Sequence, residues 1–398
     1  MITKCLTKTG RTVRWWLWPC MGVLCALLAA GCKKSDETPA AGGQGGDVIK
    51  IGEFASLTGK EATFGQMSHH GTELAVDEAN ASGGVLGKKL QLLTEDDQSK
   101  PGESKTIARK LISRDNVIAL LGEVASSRSL EAAPVCQEAH VPQVSPSSTN
   151  PKVTEMGDYI FRICFTDPQQ GKVLAQFALN TLKAKRVAVL TDAGTAYSVG
   201  LATYFKDAFT AGGGTIVAEE KYTGGDKDFS AQLTAIKAAN PEALFVPGYY
   251  TEVGLIARQA RGLGLTVPLF GGDGWESSEL VTIGGEAVEG DYFSTHFSLE
   301  DNKTNVTKFV QDFQTKYGTA PDAMGALGYD SALILIDAIK RAGSTEGAKV
   351  RDALAATKNF TGITGDITID EHRNANKPLV ILQVKNGKFH LIQKISPD

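Results

Sequence analysis

Cysteine is scarce in this sequence, and long apolar runs are confined to one end. Of the six cysteines in 398 residues, three lie before residue 32 and the others are Cys32, Cys136 and Cys164. Their spacing matches no metal-binding motif. A disulfide between Cys136 and Cys164 and a pair of buried free thiols are both compatible with the sequence. After Cys32, no apolar run approaches the roughly 18 residues that a membrane-spanning helix needs.

The sequence also lacks an excess of basic charge and the short motifs of common enzymes. Four of the 41 basic residues precede Cys32, which leaves 37 basic against 45 acidic residues in the rest of the chain. This acidic balance predicts no nucleic-acid partner. There is no GxSxG, HExxH or GxxxxGKS/T motif, and no GxGxxG opens a helix after a strand. His69 and His70 have no third ligand nearby, so we predict no enzyme activity, no metal and no cofactor.

The first 46 residues read as an export signal followed by a tether. Residues 1–31 combine a basic start with an apolar stretch, which is typical of a secretory signal. The end of this stretch, LLAAGC, resembles a bacterial lipobox, which implies lipidation of Cys32. The leucine stands one position early, however, and an ordinary secretory signal is the alternative. Residues 32–46 are polar and rich in Gly, Ala and Pro, as in a flexible tether. Together these features favour a membrane-anchored lipoprotein in the periplasm or at the cell surface.

From residue 47 onward, short β-branched apolar runs alternate with amphipathic helical stretches. Runs such as VIALLG, RVAVL and ALFV are almost continuously apolar, as strands buried on both faces must be. Strands that alternate with helices predict right-handed crossovers and parallel sheets. The pattern occurs in two successive sets, so the fold class is α/β with two doubly wound lobes. Near the end, KNG between two alternating runs predicts a hairpin turn.

Polar side chains follow the predicted strands of both sets. VASSRS follows one strand, SPSSTNP the next, and AGTAYS, YYTE and DGWESS follow strands of the second set. Ligands of open parallel sheets bind beyond the carboxyl ends of the strands. The hydroxyls, aromatic rings and carboxylates of these loops are therefore candidates for one binding site.

In this order, the loop sequences resemble the periplasmic binding proteins for branched-chain amino acids, the substrate receptors of ABC importers. The similarity runs from IKIGEFASLTGKEATFG through LLGEVASSRSLEAAPV and PQVSPSSTNPKVTEMGDYIFRICFTD to LFGGDGW. It implies a type I periplasmic binding protein fold, in which two doubly wound parallel-sheet lobes are joined by a three-strand hinge. The implied N-terminal lobe is 47–165 and 297–364, and the C-terminal lobe is 166–296 and 365–398. The implied hinges lie near Phe165–Asp167, Ser294–Phe297 and Thr361–Asp366.

The resemblance also implies a ligand site. Ser126 and Thr149, with Ser147 and Ser148 beside Thr149, would hold the ligand's carboxylate, and Asp273 its ammonium group. Tyr197 and Tyr249 would close over the ligand, Phe64 would wall the site, and Val124 and Trp275 would line its side-chain end. Six of these residues have a structural alternative: a helix cap for Ser126, turn chemistry for Thr149 and Asp273, and packing for the two tyrosines and Trp275. Glu123 and Arg128 are interpreted as a solvated or structural ion pair.

Two departures from the family concern the ligand. The SPSST loop has serines at positions where the branched-chain receptors often have alanines. Glu123, before Val124, adds a second polar side chain, so the pocket is expected to be more polar than in those receptors. The implied ligand is an amino acid, branched-chain or a related aliphatic one, delivered to a permease and an ATPase subunit. The alternatives are a sensory receptor of the same fold, and a receptor for aromatic acids, amides or short peptides.

Overall fold

The computed structural model describes residues 48–395, which fall within one compact unit. The proposed signal peptide, the tether and Cys32 lie outside the described residues. No helix among residues 48–395 is long and apolar enough to cross a bilayer.

The first lobe is built on a five-stranded parallel sheet with the order β2-β1-β3-β4-β5. Buried apolar side chains on β1 and on the helices that flank the sheet form its core. The strands are β1 Ile49–Ala55, β2 Leu90–Asp96, β3 Leu120–Leu121, β4 Gln143–Ser145 and β5 Ile160–Arg162. The helices are α1 Ala62–Ala81, α2 Glu103–Ser113, α3 Ser126–Ala139 and α4 Lys152–Glu155, and three later helices, α10 Thr304–Tyr317, α11 Ala323–Ala342 and α12 Gly347–Ala355.

The second lobe is built on a seven-stranded sheet with the order β15-β14-β10-β9-β8-β6-β7. Strands β6 to β10 are parallel, and β14 and β15 extend the sheet as an antiparallel hairpin. The strands are β6 Arg186–Asp192, β7 Thr215–Tyr222, β8 Ala243–Phe245, β9 Leu269–Gly271, β10 Tyr292–Thr295, β14 Leu379–Lys385 and β15 Lys388–Ile395. The helices are α5 Asp167–Asn180, α6 Ala196–Ala211, α7 Ser230–Ala238, α8 Tyr250–Gly262 and α9 Ser278–Gly284.

The predicted fold class is confirmed, because two sheets with parallel strands alternate with helices as the apolar runs indicated. The KNG hairpin is also present: Lys385 pairs with Lys388, and both turn residues between them have positive φ. The apolar run VIALLGE is longer than its strand, since only Leu120–Leu121 pairs with its neighbours. Cys136 and Cys164 are buried free thiols, which decides between the two alternatives.

The chain passes between the lobes after β5, after β10 and before β14. The last passage differs from the expectation. Ile367, Ile369 and Ala375 belong to the apolar core of the first lobe, and they lie on β12 Asp366–Ile369 and β13 Ala375–Asn376. These strands form a small antiparallel sheet with β11 Phe360–Thr361. Residues 365–376 therefore pack with the first lobe, and the third passage falls near Lys377 rather than at 361–366.

Helices α1 and α11 pack closely because glycines face their contact. A Cβ on Gly71 would lie 1.9 Å from the carbonyl oxygen of Gly325, and a Cβ on Gly328 would lie 2.1 Å from that of Ser68. Neither position has room for a methyl group unless the helices move apart. This contact ties the amino-terminal helix of the first lobe to a helix from the last third of the chain.

Replacing Gly71 by alanine is expected to destabilise the protein by about 1–3 kcal/mol, the usual cost of overpacking a close contact. Gly262 in α8 is the matched control, since no atom lies within 4 Å of its hypothetical Cβ. Gly262→Ala is expected to be neutral or slightly stabilising, because alanine favours a helix over glycine. Urea denaturation of both variants measures the difference. Equal free energies of unfolding for the two variants would show that the contact between α1 and α11 leaves room for a methyl group at position 71.

Candidate functional site

Asp273 is the buried acid at the centre of the candidate site. It follows β9, and its carboxylate accepts a hydrogen bond from Gln170 Nε2 at 2.9 Å. Ser147 Oγ, from the first lobe, lies 3.4 Å from the other carboxylate oxygen, and His296 Nε2 lies 3.3 Å from it. Ser147 therefore reaches Asp273 across the boundary between the lobes. With an exposed fraction of 3%, Asp273 can bind a cationic group out of water.

Tyr197 and Tyr249 stack beside Asp273. Their ring centroids are 5.2 Å apart with the planes nearly parallel, and the Tyr197 hydroxyl accepts the N–H of Gly274 at 3.0 Å. A Cβ on Gly274 would lie 2.9 Å from atoms of both rings, so glycine after Asp273 lets the two tyrosines approach the acid. The stacked pair thus forms one face of the candidate site.

Phe64 brings the first lobe against the same aromatic group. Its ring contacts Tyr249 and Tyr250 edge-on, with centroids 5.6 and 4.9 Å apart. Hydrogen bonds reinforce this contact. The carbonyl oxygen of Lys60 accepts from the hydroxyl of Tyr250 at 3.1 Å and from that of Thr251 at 2.9 Å. The lobes therefore touch directly beside the stacked tyrosines.

The hydroxyl residues of the first lobe divide into two groups. Ser126 Oγ accepts the N–H of Asn150 at 3.3 Å, and Thr149 Oγ1 is buried without a hydrogen-bond partner among the described residues. Both lie beside the lobe boundary, as Ser147 does. The hydroxyl of Ser148 instead contacts the carbonyl oxygens of Glu123 and Val124 at 2.9 and 3.1 Å. The structure therefore places the Ser148 hydroxyl in the loop network of its own lobe.

Val124 and Trp275 occupy different surroundings. Val124 is buried and packs in the apolar cluster that includes Phe64 and Tyr249. Its predicted contact with the ligand's side chain stays a prediction. Trp275 is fully buried, donates its indole N–H to the carbonyl oxygen of Val246 at 2.8 Å and packs near Phe293. The indole thus lies in the core of the second lobe, in agreement with the packing alternative.

Three buried residues that the sequence did not single out surround the site: Asp167, Gln170 and His296. Asp167 and Gln170 lie three residues apart at the start of α5, on one face of the helix. His296 follows β10 and stacks on Phe165 with centroids 3.7 Å apart. Burial lowers the pKa of His296 to about 4, against the hydrogen bond to Asp273, so the imidazole is neutral near pH 7. No sequence motif indicated these residues, because they are ordinary polar residues that only the folded structure buries beside the site.

Burial and the charge of Asp273 raise the pKa of Asp167 to about 8, although the charge of Arg162 opposes the shift. An unfolded aspartate titrates near 3.9, so between about pH 4 and pH 8 the folded state retains a proton that the unfolded state has lost. Asp167 therefore contributes most to stability at acid pH, and this contribution is lost as the pH rises through about 8.

Asp167→Asn removes this titration. The stability of the variant relative to the wild type is expected to rise between pH 5 and pH 8, by at most about 1.4 kcal/mol per pH unit. Thermal unfolding of the ligand-free proteins at several pH values measures the trend. Asp207→Asn is the control, since Asp207 is exposed on α6. A flat or falling difference for Asp167→Asn would contradict the raised pKa.

Glu123 and Arg128 belong to a buried charged cluster but do not form the expected simple pair. Arg128 Nη2 contacts Glu61 Oε2 at 2.5 Å, and Nε lies 3.6 Å from Asp97 Oδ1. Glu123 instead accepts backbone N–H groups, those of Ser56 at 3.1 Å and Ala125 at 2.5 Å. Burial and the charge of Asp97 raise the pKa of Glu123 to about 8, against the charge of Arg128.

The two histidines considered as metal ligands have other contacts. His69 Nδ1 lies 2.6 Å from Glu53 Oε2, and the His70 ring stacks on Tyr317 with centroids 4.0 Å apart. Burial lowers the pKa of His69, but the hydrogen bond and charge of Glu53 outweigh it, and the pKa is raised. Among residues 48–395, no group of three metal-binding side chains could hold an ion.

Two α/β lobes with a buried polar site at their boundary define the class of two-lobed binding proteins. Comparison with protein families identifies the group within this class: residues 48–388 match the family described as periplasmic binding protein. The chain belongs to this family, and the resemblance inferred from the sequence is confirmed.

Relatives and solved structures agree with this assignment. The Leu/Ile/Val-binding protein BraC3 of Rhizobium johnstonii is 35% identical over 325 residues, 81% of this chain and 88% of that protein. The structure of the leucine-binding protein LivK of Thermotoga maritima is 42% identical, with a TM-score of 0.84, and the match covers 88% of this chain and 99% of that one. LivJ of Streptococcus pneumoniae, in complex with isoleucine, is 34% identical with the same TM-score, covering 88% and 100%.

A further structural relative has a different kind of ligand. A solute-binding protein of an ABC transporter from Rhodopseudomonas palustris, in complex with 3,4-dihydroxybenzoic acid, is 27% identical with a TM-score of 0.79. The match covers 88% of this chain and 98% of that one. The fold thus accommodates ligands with and without an ammonium group. The side chains of the site must therefore distinguish the ligand classes.

Proposed function

We propose that this chain is the extracytoplasmic, lipid-anchored substrate-binding protein of an ABC importer and that it binds an α-amino acid between its lobes. One observation carries the proposal: Asp273, buried on the second lobe, lies within 3.4 Å of Ser147 on the first. Ser126 and Thr149 lie beside Ser147, so an acid for an ammonium group faces hydroxyl groups for a carboxylate. This pairing matches the two charged groups shared by all α-amino acids.

Binding would drive closure of the lobes about the hinge. A ligand that contacts both lobes has more contacts in the closed state than in the open one, and this difference in affinity shifts the population. Ser126, Ser147 and Thr149 would hold the carboxylate on the first lobe. Tyr197, Tyr249 and Asp273 would complete the site from the second lobe. Permease and ATPase subunits would then recognise the closed form.

The acid at the centre of the site argues against the alternative aromatic acids. A benzoate-like ligand has no cation to pair with Asp273, so the buried carboxylate would keep an uncompensated charge beside a second anion. An α-amino acid supplies that cation. The sequence analysis expected a branched-chain or related aliphatic amino acid, and the ligands in the names of BraC3, LivK and LivJ make leucine, isoleucine and valine the first compounds to test.

Isothermal titration calorimetry of the full chain, refolded to remove bound ligand, tests the proposal. Leucine, isoleucine, valine, glutamine, glutamate and γ-aminobutyrate are titrated beside benzoate and 4-hydroxybenzoate. We expect micromolar or tighter binding of at least one α-amino acid and no binding of the benzoates. Tight binding of a benzoate without any amino acid would reject the proposed ligand class.

The anchor and the transport role need separate tests. Cys32→Ser is expected to abolish the incorporation of labelled fatty acid into the exported protein, because the proposed acyl chains would be lost. Equal labelling of the variant and the wild type would reject the anchor at Cys32. A sensory receptor would bind the same ligand without supporting its uptake. Uptake of the labelled amino acid by cells with and without the gene distinguishes the two roles.

A further inference from the structure

Arg162 holds the loop that carries the proposed contacts to the ligand's carboxylate. It is the last residue of β5, and its side chain is fully buried. Its Nη1 donates to the carbonyl oxygen of Ser148, and its Nη2 donates to those of Asn150 and Pro151 at 2.8 and 3.2 Å. One guanidinium group thus fixes the backbone on both sides of Thr149.

These hydrogen bonds set the direction of the Thr149 N–H group. In a planar trans peptide, the C=O and N–H groups point in opposite directions. The carbonyl group of Ser148 points to Arg162, so the N–H of Thr149, in the same peptide, points away from Arg162. The Thr149 hydroxyl is buried and has no hydrogen-bond partner among residues 48–395. The loop therefore turns its carbonyl oxygens towards Arg162 and leaves donors of Thr149 for a ligand.

The positive charge of Arg162 is not paired with a carboxylate in the described part of the chain. Besides the three carbonyl oxygens, its only printed acceptor is the hydroxyl of Thr154 at 3.2 Å, and its Nε has no partner. The pKa of Asp167 is raised to about 8, so this neighbouring acid is protonated near pH 7. The charge of Asp370 also acts on Arg162, but its Oδ1 accepts two backbone N–H groups of its own turn. A buried cation without a bound anion is unfavourable, and an anion on the other side of the loop would compensate it.

We propose that Arg162 recognises the ligand's carboxylate without touching it. Arg162 aims the N–H of Thr149 at the carboxylate and polarises the peptide between Ser148 and Thr149. A cation bound to the C=O of a peptide strengthens the hydrogen bond that its N–H donates. This inference rests on the proposed function, because it assumes that the carboxylate of an amino acid binds beside Thr149. Arg162 is then a positioning residue whose charge favours an anionic group at this end of the site.

Comparison of each amino acid with its α-carboxamide tests the charge preference. The carboxamide keeps the ammonium group and the side chain but has no negative charge. Leucine, isoleucine, valine, glutamine, glutamate and their α-carboxamides are titrated into the refolded full chain at pH 6, where the amino groups are protonated. We expect the tightest-binding acid to be preferred over its carboxamide at least about 30-fold, because hydrogen bonds to charged groups are the stronger ones.

A smaller preference would overturn the role of Arg162 and leave the proposed function intact, since the amino acid would still bind. If none of the amino acids binds, the proposed function fails as well. The two failures are therefore distinguishable in the same titration.

Two variants separate the charge of Arg162 from its hydrogen bonds. Arg162→Gln keeps a donor for the loop but removes the charge, so the preference for the acid is expected to fall at least about tenfold. Arg162→Lys keeps the charge but not the planar donor group. It is expected to weaken the acid and the carboxamide alike, at least about fivefold, and to keep the wild-type preference within threefold.

Arg186→Gln is the matched control. Arg186 also donates to a backbone carbonyl, that of Ala239 at 2.9 Å, but it is exposed at the start of β6, at the opposite end of the strand from the site. It should keep both the affinity and the preference. An equal loss for the acid and the carboxamide in Arg162→Gln would indicate a structural role and overturn the proposal. If this variant does not fold, Arg162→Lys decides, because an unchanged affinity for the acid or a lost preference would overturn it.

Discussion

Asp273→Asn is expected to weaken binding of the preferred amino acid at least 100-fold. The carboxylate is buried, so its attraction for a ligand ammonium group is not screened by water. Asparagine keeps the size of the side chain but loses the charge, and its amide nitrogen would place a donor against the ligand's own donors. Removing one partner of a buried charged pair costs about 3–5 kcal/mol, which corresponds to at least two orders of magnitude in the dissociation constant.

Titration calorimetry measures the loss, and thermal unfolding without ligand checks that the variant folds. Asp312→Asn is the control, because Asp312 lies on the exposed side of α10, where it pairs with Lys308. This control should bind like the wild type. If Asp273→Asn binds within fivefold of the wild type, Asp273 does not contact the ammonium group. Ser147, Gln170 and His296 would then surround Asp273 for structural reasons alone.

The fold was predictable because its main signals are local. Runs such as RVAVL are buried on both faces in the second sheet, and their alternation with helices left few topologies to consider. The parallel strands then placed the polar loops at one edge of each sheet. The family resemblance then proposed Ser147, Tyr197, Tyr249 and Asp273 within these loops as ligand contacts, and this assignment stays a prediction.

The rest of the site depends on burial, which the sequence does not display. Asp167 stands before a proline at a helix start, where an exposed acid is common, yet it is fully buried beside Thr149. His296 follows a strand without any motif. Trp275 lies two residues after Asp273 in the sequence, but its indole points into the core of the second lobe. Two residues of one short loop can thus face different surroundings, one the candidate site and the other the core of the lobe.

The third passage between the lobes was misplaced for a related reason. GDITID alternates like a strand, and the resemblance placed a hinge before it. In the structure this strand pairs only with two short antiparallel neighbours and buries Ile367 and Ile369 against the first lobe. Alternation predicts a strand but does not identify the core that the strand covers. Asp330 on α11 and Lys377, where the chain crosses to the second lobe, are both hydrogen-bonded to Thr364 in this region.

Asp330→Ala is therefore expected to destabilise the protein by about 3–5 kcal/mol. The carboxylate is fully buried and accepts the N–H of Ile363 at 2.7 Å and the N–H and hydroxyl of Thr364 at 2.9 and 2.6 Å. Lys377, also fully buried, hydrogen-bonds the same threonine hydroxyl. Alanine would leave the backbone donors unpaired and Lys377 without its opposite charge.

The pH dependence separates these two losses. Burial lowers the pKa of Lys377 to about 8, although the charge of Asp330 opposes the shift. A lysine in the unfolded chain titrates near 10.4, so the folded state binds the proton less readily, and stability falls as the pH decreases towards 8. Without Asp330 the pKa of Lys377 would fall further. Stability would then go on decreasing below pH 8, where in the wild type it no longer changes with the protonation of Lys377. The destabilisation by Asp330→Ala is therefore expected to be larger at pH 7 than at pH 9.

Urea denaturation at both pH values measures the effect, and Asp337→Ala provides the matched control on the same helix. Asp337 is 38% exposed and pairs with Arg341 four residues later, an arrangement worth about 0.5 kcal/mol or less. If Asp330→Ala costs no more than Asp337→Ala, the third passage is held by apolar packing alone. A large loss that is equal at pH 7 and pH 9 would assign the effect to the unpaired N–H groups and not to Lys377. A destabilisation that is larger at pH 7 than at pH 9 would show that the charge of Asp330 stabilises the protonated Lys377 at the third passage between the lobes.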